Sequence, residues 1–280
     1  MYMVLFILFP GMGQSGKYWE KYIDWDKKKV MKTSFLQKLK KLGNVYTYTP
    51  LVYNIINNCV CDYDCRLNKK VLYSNPNQLT MNDIHIDSEC KRIYEEIKSY
   101  KGKLIPIGHS AGGWFAVRFT KLYQSRCIKT ILIESGYLTQ KRAKRQIESK
   151  TKKHTYPNMT TNKLQLLVNK LQTNRNCKHK LTKDLEHKLT YIYMYCYHRD
   201  VKKINGKLPK PTLLFENIKV TNNSKEDNES NKKQIEYQNE LYKKNGKNVN
   251  FINLVNTNHY PWFIPKYSDE MIRQIKCFIE

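Results

Sequence analysis

Apolar and polar positions follow two recurring patterns along this chain. Short runs of almost continuously apolar residues, such as 3–9, are separated by longer stretches in which apolar residues recur every three or four positions. The first pattern is typical of strands buried on both faces, and the second of amphipathic helices. Their alternation predicts an α/β fold with a mostly parallel central sheet and helices on both faces. The predicted strands are 3–9, 44–52, 104–107, 127–134, 211–218 and 249–255.

The helix boundaries follow from capping residues and glycines. Asp87 or Ser88 is the predicted N-cap of a helix that ends near Tyr100, and Ser268 is the predicted N-cap of the C-terminal helix. Apolar periodicity predicts the other helices at 33–43, 113–123 and 234–246.

Two segments lack a clear periodic pattern. Pro106 interrupts the strand 104–107 and has no N–H for the sheet, so we expect it near an end or an irregularity of that strand. The segment 222–233, "NNSKEDNESNKK", is polar and of low complexity, and it is predicted as a loop.

The alternation of strands and helices is interrupted between 138 and 206. This segment is basic and mostly helical in pattern, and we expect it to form a cap or lid over the sheet edge. Within it, tyrosines alternate with apolar residues from Tyr191 to Tyr197, which is the period of a short strand. The predicted domains are therefore a core formed by 1–137 and 207–280, and the inserted cap.

Composition changes this picture in one respect, the formal net charge of +26 on 280 residues. Such a charge suits an anionic partner such as nucleic acid. The basic residues are spread evenly along the chain, however, which favours compositional drift over a nucleic-acid function.

The cysteines and the N-terminus indicate the compartment. Cys59, Cys61 and Cys65 cluster without the second ligand pair that a zinc site needs, so we expect reduced thiols and no metal. The apolar N-terminal run lacks a preceding basic segment and is far shorter than the roughly 20 residues of a membrane helix. A buried strand and a cytoplasmic protein are the resulting expectations.

The sequence "GHSAGG" lies between a predicted buried strand and a predicted amphipathic helix. Gly108-His109-Ser110-Ala111-Gly112 matches the G-x-S-x-G pattern, in which a strained turn exposes a serine hydroxyl above the sheet edge. Small residues at both ends of the pattern let the neighbouring backbone approach closely. Ser110 is therefore the candidate nucleophile.

A serine nucleophile needs a base. His259 directly follows the last predicted strand, where parallel sheets build their active sites, and it is the candidate among seven histidines. His109, next to Ser110, is expected to point elsewhere from a turn position. The backbone N–H of Ala111 and that of Met12, in the early loop "FPGMGQSG", are the expected oxyanion donors.

Together these features resemble the α/β-hydrolase superfamily. The resemblance is carried by "GHSAGG", "FPGMGQSGKYW" and "NHYPWFIPKYSDEMIRQIKCFIE", and it spans nearly the whole chain. It implies a core sheet shortened at its N-terminal side, a cap insertion, and the chain order nucleophile, acid, histidine.

The resemblance leaves the acid of the triad open. The family expects a carboxylate a few residues beyond the strand 211–218, but Lys219 and Val220 stand there. Asp227 is preferred because aspartate usually fills this role. The alternatives are Glu226 and Glu229 nearby, Glu216 at the strand end, and Glu134 at the end of the preceding strand, an acid position known in the superfamily.

These residues predict a serine hydrolase that cleaves a carboxylic ester or thioester through an acyl-enzyme intermediate, without cofactor or metal. Lysines and tyrosines of the predicted cap favour a lipid-like or anionic small-molecule ester. Two alternatives remain: a catalytically inactive hydrolase fold used for binding, and a nucleic-acid-binding protein suggested by charge alone. The sequence leaves the oligomeric state open.

Overall fold

The computed structural model describes most of the predicted core. The described residues are 3–12, 14, 16–20, 23, 24, 29, 30, 35–50, 84–135, 138, 139, 142, 162, 165, 166, 204, 206–209, 211–220 and 224–280. For residues 17, 23, 24, 29, 30 and 224–227 the description covers the backbone alone.

A central sheet of six strands confirms the predicted α/β fold. Its strands are β1 (Val4–Phe9), β4 (Asn44–Thr47), β5 (Lys103–His109), β6 (Thr130–Ile133), β7 (Thr212–Ile218) and β8 (Val249–Val255). Two short strands, β2 (Ile23–Asp24) and β3 (Lys29–Val30), form a separate pair. The order across the central sheet is β4-β1-β5-β6-β7-β8, and every neighbouring pair is parallel. All carboxyl ends of these strands therefore lie at one edge.

Helices cover both faces of this sheet. They are α1 (Phe35–Lys40), α2 (Ile86–Ile97), α3 (Gly112–Leu122), α4 (Ser224–Asn245) and α5 (Pro265–Ile279). Side chains alternate between the faces: Ile7 and Phe9 of β1 join a core with α2, α3 and α4, whereas Phe6 and Leu8 join a core with α1 and α5. Burial on both faces explains why the strands are almost continuously apolar. Within the described parts of the chain, no helix is long and apolar enough to cross a membrane.

Pro106 lies in the middle of β5 and not at its end. Leu104 pairs with Cys127 in an isolated bridge, and the regular pairing of β5 with β6 starts at Ile107 opposite Ile131. Between these two pairs the chain advances three residues along β5 but four residues along the segment that leads into β6. This irregularity faces the proline, and it removes the need for an N–H there. The expected irregularity is therefore present.

Three predicted helix boundaries are wrong. Helix α4 begins at Ser224, so the segment predicted as a loop at 222–233 is largely helical. Helix α5 begins at Pro265, and Ser268 lies inside its first turn and not at its cap. The N-cap of α2 is His85, whose ring accepts a hydrogen bond from the Ser88 N–H.

The two ends of the predicted insertion meet. The N–H of Gly206 donates to the carbonyl oxygen of Leu138 at 2.8 Å, and the side chain of Asn245 then accepts from the Leu208 N–H as the chain re-enters the core. Most of 139–205 lies outside the described residues, including the predicted tyrosine strand. The cap and its domain bounds stay a prediction.

The core tolerates little loss of volume at the sheet centre. Replacing fully buried Ile131 by valine should lower the free energy of unfolding by about 1 kcal/mol. The matched change Ile235→Val, at a residue 51% exposed on α4, should leave it unchanged. Urea unfolding of the two variants measures both values, and equal effects would contradict the described burial.

Candidate active site

Ser110 occupies the turn that joins β5 to α3. Its φ of 51° lies in the left-handed region, which is strained for any residue with a Cβ. Its N–H donates to the Ile133 carbonyl at 2.9 Å, and its own carbonyl accepts from the Gly113 N–H at 3.1 Å. The neighbouring strand and the following helix thus hold the strained turn in place.

Two glycines allow this turn to pack backbone against backbone. A Cβ on Gly112 would collide with the carbonyl oxygens of Phe9 and Pro10 at the end of β1. A Cβ on Gly108 would lie 2.5 Å from the Gly112 carbonyl oxygen. The first turn of α3 therefore touches the ends of both β1 and β5, as the G-x-S-x-G pattern predicts.

The expected oxyanion donors lie on the two segments that this packing brings together. Ala111 is the N-cap of α3, and the N–H groups at a helix start have no partner within the helix. Met12 lies in a turn that Gln14 closes: the Gln14 side chain accepts from the Gly11 N–H at 3.0 Å, and the Gln14 N–H donates to the Gly11 carbonyl at 3.3 Å. The assignment of these two N–H groups as donors stays a prediction.

His259 lies at the same edge, in the loop after β8. Two hydrogen bonds between the Asn217 amide and the backbone of Thr257, at 2.7 and 3.1 Å, fix the start of this loop. The side chain of His259 is 43% exposed, so it can meet a substrate from solution.

Glu134 is the carboxylate beside His259. It directly follows β6 with a φ of 50°, and its N–H donates to the Phe215 carbonyl at 2.8 Å. Its Oε2 lies 3.6 Å from Nδ1 of His259. The alternative acid position after the preceding strand is therefore the one where a carboxylate approaches the histidine.

Glu216 lies beneath this pair on β7. It is 3% exposed, and its Oε2 accepts from the Gln234 side chain at 2.7 Å. Burial, and then the charge of Glu134, raise the pKa of Glu216 well above its usual range. Both causes favour the neutral form of Glu216.

The remaining acid candidates lie on α4. Glu226 and Asp227 belong to its first turn, and their side chains lie outside the description. Glu229 is at the surface, where it forms an ion pair of 2.5 Å with Lys233. The preference for Asp227 stays untested, whereas the Glu134 carboxylate lies 3.6 Å from His259.

Sequence reasoning missed His109. It is the last residue of β5, not part of the turn, and it is fully buried beneath His259. Its Nε2 lies 2.9 Å from the His259 carbonyl oxygen, and the two rings are 4.6 Å apart. Its place at the end of an apolar strand was the sequence signal that could have indicated burial.

Aromatic rings join the early and late loops around this histidine. Tyr18 stacks on His109 and contacts Phe263 edge-on at 5.1 Å between ring centroids. Trp19 stacks on Trp262 at 4.7 Å. The segments "GKYW" and "HYPWF" therefore pack together under the site, although they are far apart in the sequence.

The predicted cap and the cysteine cluster give no further geometry. The lysines and tyrosines expected to line the pocket, and Cys59, Cys61 and Cys65, lie outside the described residues. Cys90 and Cys127 are buried free thiols.

Comparison with known proteins identifies the fold. No protein-family profile matches the sequence, and no curated protein matches it in sequence. Among solved structures, the chain resembles the epoxide hydrolase CorEH (12% identity, 99% of this chain and 92% of that one, TM-score 0.56). It also resembles the peroxisomal alpha-beta-hydrolase Lpx1 from Saccharomyces cerevisiae (14% identity, 99% and 78%, TM-score 0.54) and NosK from Streptomyces actuosus (11%, 99% and 97%, TM-score 0.50). The chain has the α/β-hydrolase fold.

The close packing of the elbow can be tested through stability. Gly112→Ala should lower the free energy of unfolding by about 2–3 kcal/mol because its Cβ meets carbonyl oxygens that cannot move away. Gly246→Ala is the matched control, since it adds a Cβ into open space and meets only the cost of its positive φ, about 1–2 kcal/mol. Urea unfolding compares the two, and a smaller loss at Gly112 than at Gly246 would contradict the described packing.

Proposed function

We propose that this chain is a serine hydrolase that cleaves a carboxylic ester or thioester through an acyl-enzyme intermediate. The observation that carries the proposal is the 3.6 Å approach of Glu134 to His259 at the sheet edge where Ser110 is held with φ of 51°. A strained serine, a histidine and a carboxylate at one edge are the groups that acyl transfer requires.

The reaction begins with attack of the Ser110 hydroxyl oxygen on the acyl carbon. His259 accepts the hydroxyl proton as the new C–O bond forms, and it then donates that proton to the leaving oxygen or sulfur as the old bond breaks. Water attacks the resulting acyl-serine with His259 again as the base, which releases the acid and restores the serine. The N–H groups of Ala111 and Met12 are the proposed donors to the oxyanion in both steps.

Glu134 is the proposed acid of the triad. A carboxylate next to Nδ1 favours the tautomer in which Nε2 is free to accept a proton, and it stabilises the imidazolium that forms. Burial and then the charge of Glu134 raise the pKa of the neighbouring Glu216 well above its usual range, which favours the neutral form of Glu216 beside the carboxylate that faces His259.

The substrate class follows from the predicted cap and remains the broadest part of the proposal. If the predicted cap covers Ser110, its lysines would line the rim of the pocket and its apolar residues and tyrosines the roof, which suits a lipid-like or anionic ester. The inactive binding protein is the main alternative, and the first experiment separates it from the enzyme.

Covalent labelling tests the nucleophile. A fluorophosphonate probe should label the wild-type chain on Ser110 with loss of fluoride, and mass spectrometry of the labelled peptide locates the adduct. Ser110→Ala should abolish labelling and lower ester turnover by about 10⁶-fold. An unlabelled but folded wild-type chain would instead support the inactive binding protein.

Substitution of the carboxylates tests the acid. Glu134→Gln should lower kcat by about 10³–10⁴-fold while the fold stays intact, because the histidine loses the carboxylate that orients it. Glu216→Gln is the matched control on the next strand, and it should leave kcat within about threefold, because it replaces a group that is already neutral. A large loss for Asp227→Asn with none for Glu134→Gln would return the role to α4.

The same control has a pH signature. In the unfolded chain Glu216 loses its proton near the ordinary glutamate pKa of about 4.3, whereas its pKa in the folded state is well above that value. Above about pH 4.3 the folded state therefore binds more protons than the unfolded state, and the free energy of unfolding of the wild type falls as pH rises. Glu216→Gln cannot titrate, so its stability relative to the wild type should increase from pH 4 to pH 8 in urea unfolding.

A further inference from the structure

His109 is buried at the point where the three loops of the site meet. It ends β5 and immediately precedes Ser110. Its ring lies against Gly11, because a Cβ at that position would be 2.9 Å from Nδ1 and 3.2 Å from Cε1. Its Nε2 reaches the His259 carbonyl oxygen. One imidazole therefore touches the elbow, the turn that contains Met12 and the loop that carries the base.

The contact with His259 fixes how His109 is protonated. A carbonyl oxygen only accepts hydrogen bonds, so Nε2 of His109 carries the hydrogen and donates it across 2.9 Å. Nδ1 has no hydrogen-bond partner in the described part of the chain and is buried. Burial, and then the nearby His259, lower the pKa of His109 well below its usual value, so the ring is neutral and has one tautomer.

The other hydrogen bonds of the base loop hold residues on either side of His259. After it, the Tyr260 N–H donates to the Asn258 side chain at 2.7 Å, and the bonds before it fix the start of the loop. Asn217 holds Thr257, and the side chain of Asn256 exchanges hydrogen bonds with the backbone of Val220. These contacts fix where the loop starts, whereas the bond from His109 reaches the backbone of His259 itself. The backbone of His259 in turn sets where its half-exposed ring points.

We propose that His109 is a positioning residue, whose hydrogen bond to the His259 carbonyl sets the orientation of the base relative to Ser110. The inference rests on the proposed function, because it assigns a role in the same acyl transfer. The contact of the His109 ring with Gly11 also holds the turn that contains Met12 against the His109 imidazole. A single buried side chain thereby keeps base, nucleophile and oxyanion donors in a common frame, and small displacements in such a frame cost up to about a hundredfold in rate.

Two matched amide variants distinguish a positioning histidine from one that only fills space. A space-filling histidine predicts the same kcat in both variants, whereas the positioning role predicts different values. In His109→Gln, the amide nitrogen lies as many bonds from Cβ as the histidine Nε2 does, so it can reach the His259 carbonyl. In His109→Asn, the amide nitrogen is one bond closer to Cβ and cannot reach that carbonyl. We expect His109→Gln to keep kcat within about fivefold of the wild type and His109→Asn to lose about 10–100-fold, with KM little changed in both. His109→Leu should resemble His109→Asn.

The control is Thr120→Val, which removes a buried hydroxyl that is hydrogen-bonded to Thr130. Thr130 starts β6, at the end of the strand away from the candidate site. It should lower stability without lowering kcat. Hydrogen–deuterium exchange of the peptide 256–264 supplies a second measurement: it should speed up in His109→Asn and not in Thr120→Val or His109→Gln.

The outcomes separate this inference from the proposed function. A wild-type chain that does not react with the fluorophosphonate overturns both. A reactive wild type with equal kcat in His109→Gln and His109→Asn overturns the positioning role and leaves the hydrolase standing. If His109→Leu does not fold, the two amide variants decide alone. If Thr120→Val lowers kcat together with stability, as the His109 variants do, a general loss of stability explains the result and the positioning role is overturned.

Discussion

The site depends on one constraint, the contact of the first turn of α3 with the backbone of β1 and β5. Without a side chain at Gly112, the helix start reaches the carbonyl oxygens of Phe9 and Pro10, and without one at Gly108 it reaches β5. This approach forces Ser110 into the left-handed region and brings its neighbour Ala111 next to the turn that contains Met12. The other groups of the site are positioned by loops that meet at the same sheet edge, whereas this contact, together with the hydrogen bonds of Ser110 to Ile133 and Gly113, decides where the serine stands.

The sheet could be predicted because burial on both faces leaves a direct mark in the sequence. The inner strands β1, β5, β6 and β7 are mostly apolar runs, whereas the edge strands β4 and β8 are only partly buried. The predicted strand 249–255 matches β8 at both ends. The start of α4 left no such mark: residues 228–230 are exposed, and the buried positions Tyr237, Leu241 and Asn245 come only in its last turns. Pro265 at the start of α5 was a usable signal, since proline suits the first turn of a helix.

The proposed nucleophile and base follow from local context, but the proposed acid and the contact of His109 depend on distances between strands. Counting along the chain after β7 cannot tell that Glu134, which follows a neighbouring strand, is the carboxylate that approaches His259. Nor can it tell that Glu216 faces Gln234 and is buried. The contact of His109 could not be predicted because its partner lies 150 positions along the chain and is a backbone group, not a side chain.

Among the described residues, the three non-glycine residues with positive φ are Ser110, Glu134 and Asn256, and all follow strands that end at this edge. Each such residue costs about 1–2 kcal/mol that a glycine would not. Asn256 recovers part of that cost through its bonds to Val220, but at Ser110 and Glu134 a glycine would remove the hydroxyl or the carboxylate. If the proposed function is right, stability and chemistry select opposite residues at these two positions. A library selected for folding alone should then drift toward glycine at both, which would distinguish residues kept for chemistry from residues kept for stability without any substrate being known.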